Sequence, residues 1–151
     1  MKVRVEGLRE LEKALAELPK ATGKNVLRRT LRQAAQPMAD LAEGRAPRAS
    51  GQLQRSVGMG TRLSKRQARL QRREPEYEKP TGAQLFVGAG ALPQAHLREF
   101  GGDGRGAQPF MRPAWDAEKR PMLERIKATL AEEIRKAAER LARKAARRAR
   151  G

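Results

Sequence analysis

Cysteine is absent from the 151 residues, and histidine occurs once, at His96. The first absence excludes disulfides, thiolate metal sites and a cysteine nucleophile; the second excludes a histidine-cluster metal centre. Aromatic side chains make up only 3% of the chain, so a core has to be assembled from Leu, Ala, Val and Met. Such a core is thin, and burial shared with neighbouring subunits would help it. No run approaches the ~20 consecutive apolar residues of a membrane span. Met1–Val5 lacks the apolar stretch of a signal peptide, so no cleaved leader is expected either. With most of the usual catalytic groups missing, the expectation is a protein that is not an enzyme and carries no cofactor.

What the chain has in excess is positive charge. Lys and Arg number 34 against 17 Asp and Glu, a formal net charge of +17. A surplus of that size points to a polyanionic partner or to a surface that faces one. It is unevenly spread: residues 83–120 are close to balance, whereas Arg135–Arg150 holds eight basic side chains and one acid, Glu139. The alanines and leucines of that last run keep a helical period, so it reads as a basic helix and not as a disordered tail.

Periodicity sets the remaining elements. Val3 and Val5 alternate in a short strand over 2–6, which Gly7 breaks. Leu8, Leu11, Leu15 and Leu18 recur at helical spacing up to Pro19. A second helix over 22–45 buries Val26, Leu27, Leu31, Ala34, Ala35, Met38, Leu41 and Ala42, with Pro37 expected to kink or split it. Residues 57–63 and 84–88 read as strands. Between them, residues 64–82 are polar, without a strong period, and read as a long mobile excursion. A short helix or turn falls at 93–100, followed by a glycine-rich connector. A final helix from Ala114 to Ala149 carries Trp115, Met122, Leu123, Ile126, Leu130, Ile134, Ala138, Leu141 and Ala145 on its stripe, with Pro121 marking a kink or restart. At ~1.5 Å per residue it would be about 50 Å long, too long to pack wholly against so small a body. The fold class is therefore α+β. A small antiparallel sheet packs against a long kinked helix, and residues 1–120 form one domain, followed by the basic helix of 121–151.

Three motifs stand out: Gly7-Leu8-x-x-Leu11; Ala46-Pro47-x-x-Ser50-Gly51-x-Leu53-x-x-Ser56; and His96-x-x-Glu99-Phe100-Gly101 followed by Pro109-Phe110-Met111-Arg112-Pro113-Ala114. In this order and spacing they resemble the small phage tail-component family, the tail-completion or head–tail joining proteins of long-tailed bacteriophages. The resemblance covers most of residues 3–120. It implies a structural virion protein of the phage neck, assembled in the host cytoplasm, without reaction or cofactor. It also implies a homo-oligomeric ring, a hexamer by the six-fold symmetry of the tail, which contacts neck, connector and tail-tube proteins and lets genomic DNA pass through its lumen.

Read from the residues alone, His96 and Glu99 share a helical face, but with no nucleophile or third group beside them they suit a surface or capping pair. Asp103, Asp116 and Glu99 lack a metal-ligand pattern. Two prolines stiffen Phe110–Arg112, which suits a core plug or a subunit contact. Phe100, Phe110, Met111 and Trp115 are accordingly the interface candidates. Lys65, Arg66, Arg69, Arg72 and Arg73, with Arg135, Lys136, Arg140, Arg143, Lys144, Arg147 and Arg148, are the candidates for facing DNA or docking on a partner. No aromatics interleave with them, so contact with nucleic acid would be to phosphates. A free-standing, sequence-independent nucleic-acid-binding protein that uses the basic C-terminal helix is the alternative reading.

Overall fold

The computed structural model describes residues 7–79, 82–102 and 104–151. Its elements in chain order are α1 (Leu8–Ala16), α2 (Lys20–Arg45), α3 (Gln52–Ser56), β1 (Gly58–Gly60), α4 (Lys65–Gln71), β2 (Phe86–Gly88), α5 (Pro93–Phe100) and α6 (Met111–Arg150). The class is α+β, with far more helix than sheet. β1 and β2 pair antiparallel, with Met59 opposite Val87. Both strands are shorter than the spans 57–63 and 84–88. The strand expected over 2–6 lies outside the described residues.

The chain divides into two compact units, one holding the chain up to Ala34 together with Leu123–Gly151, the other Ala35–Met122. In the first, Val26 of α2 meets Leu130, Ile134 and Ala137 of α6, and Leu11, Ala14 and Leu15 of α1 pack against them with Leu18 and Leu27. Ala14 and Leu15 follow Leu11 by three and four residues, so one face of α1 is apolar and docks as a stripe, which Leu18 continues just past the helix end. Arg29 of α2 donates to the buried Glu133 of α6 at 2.7 Å, which sets a close positive charge against a carboxylate that packing removes from water.

In the second unit the core is Met38, Ala42, Ala46, Leu53, Ala89, Phe110 and Ala114, with Val57, just before β1, and Val87 of β2 packed against it. Four of these seven are alanines. Small side chains let backbones approach closely, and the one aromatic group, Phe110, fills the space between them at 0% exposure.

Both long helices run on through their prolines, Pro37 and Pro121, so of the kink or break expected at each, neither is a break. A proline removes the hydrogen bond to the carbonyl four residues before it. Those carbonyls belong to Gln33 and Ala117, both exposed, so water can take the lost partner's place. The 64–82 stretch is not structureless, because α4 stands in it. Ser64 Oγ accepts from Gln67 N at 3.2 Å while Gln67 Oε1 accepts from Ser64 N at 3.1 Å. This reciprocal capping box is legible as Ser-x-x-Gln. α6 begins three residues earlier than expected, and Trp115, Ala138 and Ala145 fall outside its buried face.

Candidate subunit contact surface

The segment Pro93–Ala114 turns a weak sequence pattern into a rigid surface. α5 starts with Pro93 in its first turn, which suits proline's fixed φ. It ends at Gly101, whose φ of +81° favours glycine, and where a Cβ would lie 3.1 Å from Ala107 N. The chain reverses through the glycine-rich stretch, and Gln108 N donates to Arg98 O at 2.7 Å. This returns the backbone to α5 just as α6 begins.

Glu99, 5% exposed, then closes the start of α6. Its Oε2 accepts from Phe110 N at 2.7 Å and Met111 N at 3.0 Å, and its Oε1 accepts from Arg112 N at 2.9 Å. These are amides that a helix start leaves without intrahelical partners, and a carboxylate there also meets the positive end of the helix dipole. The Arg112 guanidinium donates to the same carboxylate at 3.2 Å and to the Glu99 carbonyl at 3.0 Å. Burial by itself raises the Glu99 pKa. The hydrogen bonds from Met111, Phe110 and Arg112 outweigh it, and the carboxyl sits below its ordinary value of 4.5.

Arg112 also lies over the Phe100 ring, 4.9 Å from its centroid, and the His96 ring meets Phe100 from the other helical turn at 4.8 Å. Phe100 nevertheless remains 55% exposed and Trp115 50% exposed. Two of the five aromatics of the chain are therefore presented to solvent on a backbone that Glu99 holds in place.

Of the four interface candidates, Phe100 and Trp115 are on the surface and Met111 is half-buried against the core. Phe110 is fully buried in its own chain, which makes it the core plug and removes it as a surface contact. Glu99 turns inward to cap α6, and His96 stays outside against Phe100. Among the described residues, no three His, Cys, Asp or Glu side chains gather as metal ligands. No described helix is long and apolar enough to cross a membrane.

The second and third motifs meet. Pro47, Ser50 and Leu53 from one, with Leu97 and Arg98 from the other, line a cleft of about 410 Å³. Gly51 takes a left-handed φ of 67° at the start of α3, which explains the glycine of that motif.

The basic candidates separate into three groups. Lys65, Arg66 and Arg69 are exposed on α4, and Arg72 and Arg73 are exposed just after it. Arg135 and Lys136 are paired with Glu139 and Glu132 at 2.7 Å each, and Arg143 reaches Glu139 at 3.8 Å. Arg140 bonds the backbone of its own helix. Lys144, Arg147 and Arg148 pair with no carboxylate among the described residues, and every residue from Ala142 onward is exposed.

A family model described as "Bacteriophage HK97-gp10, putative tail-component" matches residues 9–101. The match spans more than half of the chain, from α1 to the end of the Glu99-Phe100-Gly101 motif. The chain belongs to this family of phage tail components and is by that membership a structural component of a virion. No curated protein and no solved structure matches it.

Proposed function

We propose that this tail component completes the tail or joins head to tail, and that it works as a homo-oligomeric ring, a hexamer, through which the genome passes. The observation that carries the ring is the exposure of two aromatic side chains, Phe100 and Trp115, on α5 and α6, whose ends the Glu99 cap joins. A structural protein poor in aromatics gains nothing from leaving two of them in water. A subunit contact uses aromatics at its centre and benefits from a preorganised backbone. Size-exclusion chromatography with light scattering tests this. A ring is expected for the native chain, with a shift to smaller species for Phe100→Ala combined with Trp115→Ala. A native chain that is monomeric at all concentrations overturns the ring.

The basic end of α6 supports a second role, attraction of DNA phosphates or docking on an acidic neighbouring neck or tail protein. Residues 140–150 hold six basic side chains and no acid, and like charges four residues apart repel unless an anion relieves them. A free-standing nucleic-acid-binding protein would use the same helix end. Removing residues 142–151 separates these readings and leaves the buried Ile134 and Ala137 in place. Loss of tail attachment with DNA binding retained supports docking, and the reverse supports a DNA-facing helix. DNA binding should be independent of sequence and fall with salt by a slope of about −0.9 per phosphate neutralised.

A further inference from the structure

The second compact unit holds two charged surfaces of opposite sign that the phage-family reading does not use. The first is a hollow of about 520 Å³ lined by Arg45, Arg48 and Arg98 together with Pro47, Gln108 and Pro109. Arg45 is in the last turn of α2, where helix carbonyls attract cations. Arg48 follows across Pro47. Arg98 is steadied by the 3.2 Å bond from its Nη1 to Gln108 Oε1. No carboxylate lines the hollow, and none of the three guanidiniums pairs with one among the described residues. Three like charges converging on one concavity repel each other until an anionic group enters it.

The second surface is Glu74-Pro75-Glu76-Tyr77-Glu78. It holds three of the 17 acids within five residues, all three exposed. The segment is shaped as a turn, with Tyr77 N donating to Glu74 O at 3.0 Å. Six acids elsewhere are occupied: Glu99 by the start of α6, Glu133 by Arg29, and Asp116, Glu124, Glu132 and Glu139 by neighbours on α6. Glu74, Glu76 and Glu78 have no basic partner among the described residues. The acidic turn lines a hollow of its own that shares no residue with the arginine hollow.

We propose that the arginine hollow of one copy receives the Glu74–Glu78 turn of the next copy. The occupant is a second copy of this chain, chosen by charge complementarity: in a protein of net charge +17, a turn that presents three exposed carboxylates without an ion-pair partner, between Arg73 and Lys79, matches an arginine-lined concavity with none. Since two different surfaces meet, the contact is head-to-tail, the kind that closes into a ring when the rotation allows. The proposal rests on the ring reading and adds to it the direction of assembly. The exposed aromatics supply apolar contact area, and the charges select register and suppress wrong pairings.

Charge reversal supplies the test. A chain carrying Glu74→Lys, Glu76→Lys and Glu78→Lys has two positive surfaces. A chain carrying Arg45→Glu, Arg48→Glu and Arg98→Glu has two negative ones. Each alone should self-associate at least about tenfold more weakly than the native chain, while their equimolar mixture should assemble again with the two chains alternating. Circular dichroism melting of each chain alone verifies that it is folded. As a second measurement, Arg48→Cys with Glu76→Cys, in a chain otherwise free of cysteine, should yield interchain disulfides under mild oxidation. If the native chain forms a ring, both reversed chains form it as well and the cysteine pair stays reduced, this contact is overturned and the ring stands. If the native chain is monomeric but the cysteine pair cross-links between copies, the contact stands and the ring falls. If the arginine reversal abolishes binding to a DNA duplex and leaves self-association intact, the hollow takes phosphate and the proposal is overturned.

Discussion

The carboxylate of Glu99 accepts the backbone N–H of Phe110 at 2.7 Å, joining the last turn of α5 to the first of α6 across eleven residues of sequence. The same carboxylate holds Met111 and Arg112, so one buried side chain sets where the longest helix begins and how Phe110 enters the core. The exposed Phe100, next in sequence to Glu99, inherits that rigidity.

Replacing Glu99 therefore has a defined cost. Glu99→Ala leaves three backbone donors without their acceptor and removes a charge from the positive end of α6. A loss of about 3 kcal/mol is expected from chemical denaturation, with Glu99→Gln intermediate because its amide nitrogen cannot accept.

The same group makes stability dependent on acid. Its folded pKa is lowered, so its contribution is fully present above the unfolded carboxyl value of ~4.3 and is lost as pH falls through the folded value. A melting series from neutral pH downward should show the native chain losing stability below about pH 4.5. The Glu99→Gln chain should lose less over that window. Parallel curves would show that Glu99 is not the group responsible.

Phe110 and Trp115 should behave oppositely despite standing five residues apart. Phe110→Ala empties the centre of an alanine-rich core and should cost about 3–5 kcal/mol. Trp115→Ala should change folding stability by no more than about 0.5 kcal/mol, as expected of an exposed site, and should show its effect in self-association.

Gly101→Ala places a Cβ against Ala107 N at a φ of +81°. About 1–2 kcal/mol of destabilisation follows from the left-handed conformation alone, and the crowded contact adds to it. Comparison with Gly104→Ala, at a φ of +73° where a Cβ meets nothing within 4 Å, isolates the backbone effect.

In the first unit, Arg29→Met leaves the buried Glu133 with only Lys136, 3.9 Å away. The guanidinium is half exposed and partly screened, so the expected loss is about 1 kcal/mol. Glu133→Gln introduced on top of Arg29→Met should recover part of it, because the uncompensated charge is then gone; equilibrium unfolding in urea measures both.

Much of this architecture was readable in advance because it depends on near neighbours in sequence. The α1 stripe, most of the α2 face and the basic end of α6 follow from a 3.6-residue period, and the positive charge is composition alone. The Ser64-x-x-Gln67 cap was equally local and marks α4 inside a stretch that polarity alone suggested was irregular. The arginine hollow had no sequence signal, because Arg45 and Arg98 are 53 positions apart and only the fold brings them to one concavity.

By itself, the sequence determined the helical periodicities, the family motifs, the excess of positive charge and the exclusion of cysteine chemistry. Tertiary structure decided which side of each apolar stretch was used. Ala114 is buried and Trp115 half exposed because one residue turns a helix by about 100°, and only the packing partner says which of the two faces inward. It also decided that Glu99 is a cap and not a free acid, because its acceptors' partners arrive eleven to thirteen residues later, after a reversal through glycines that no local period encodes.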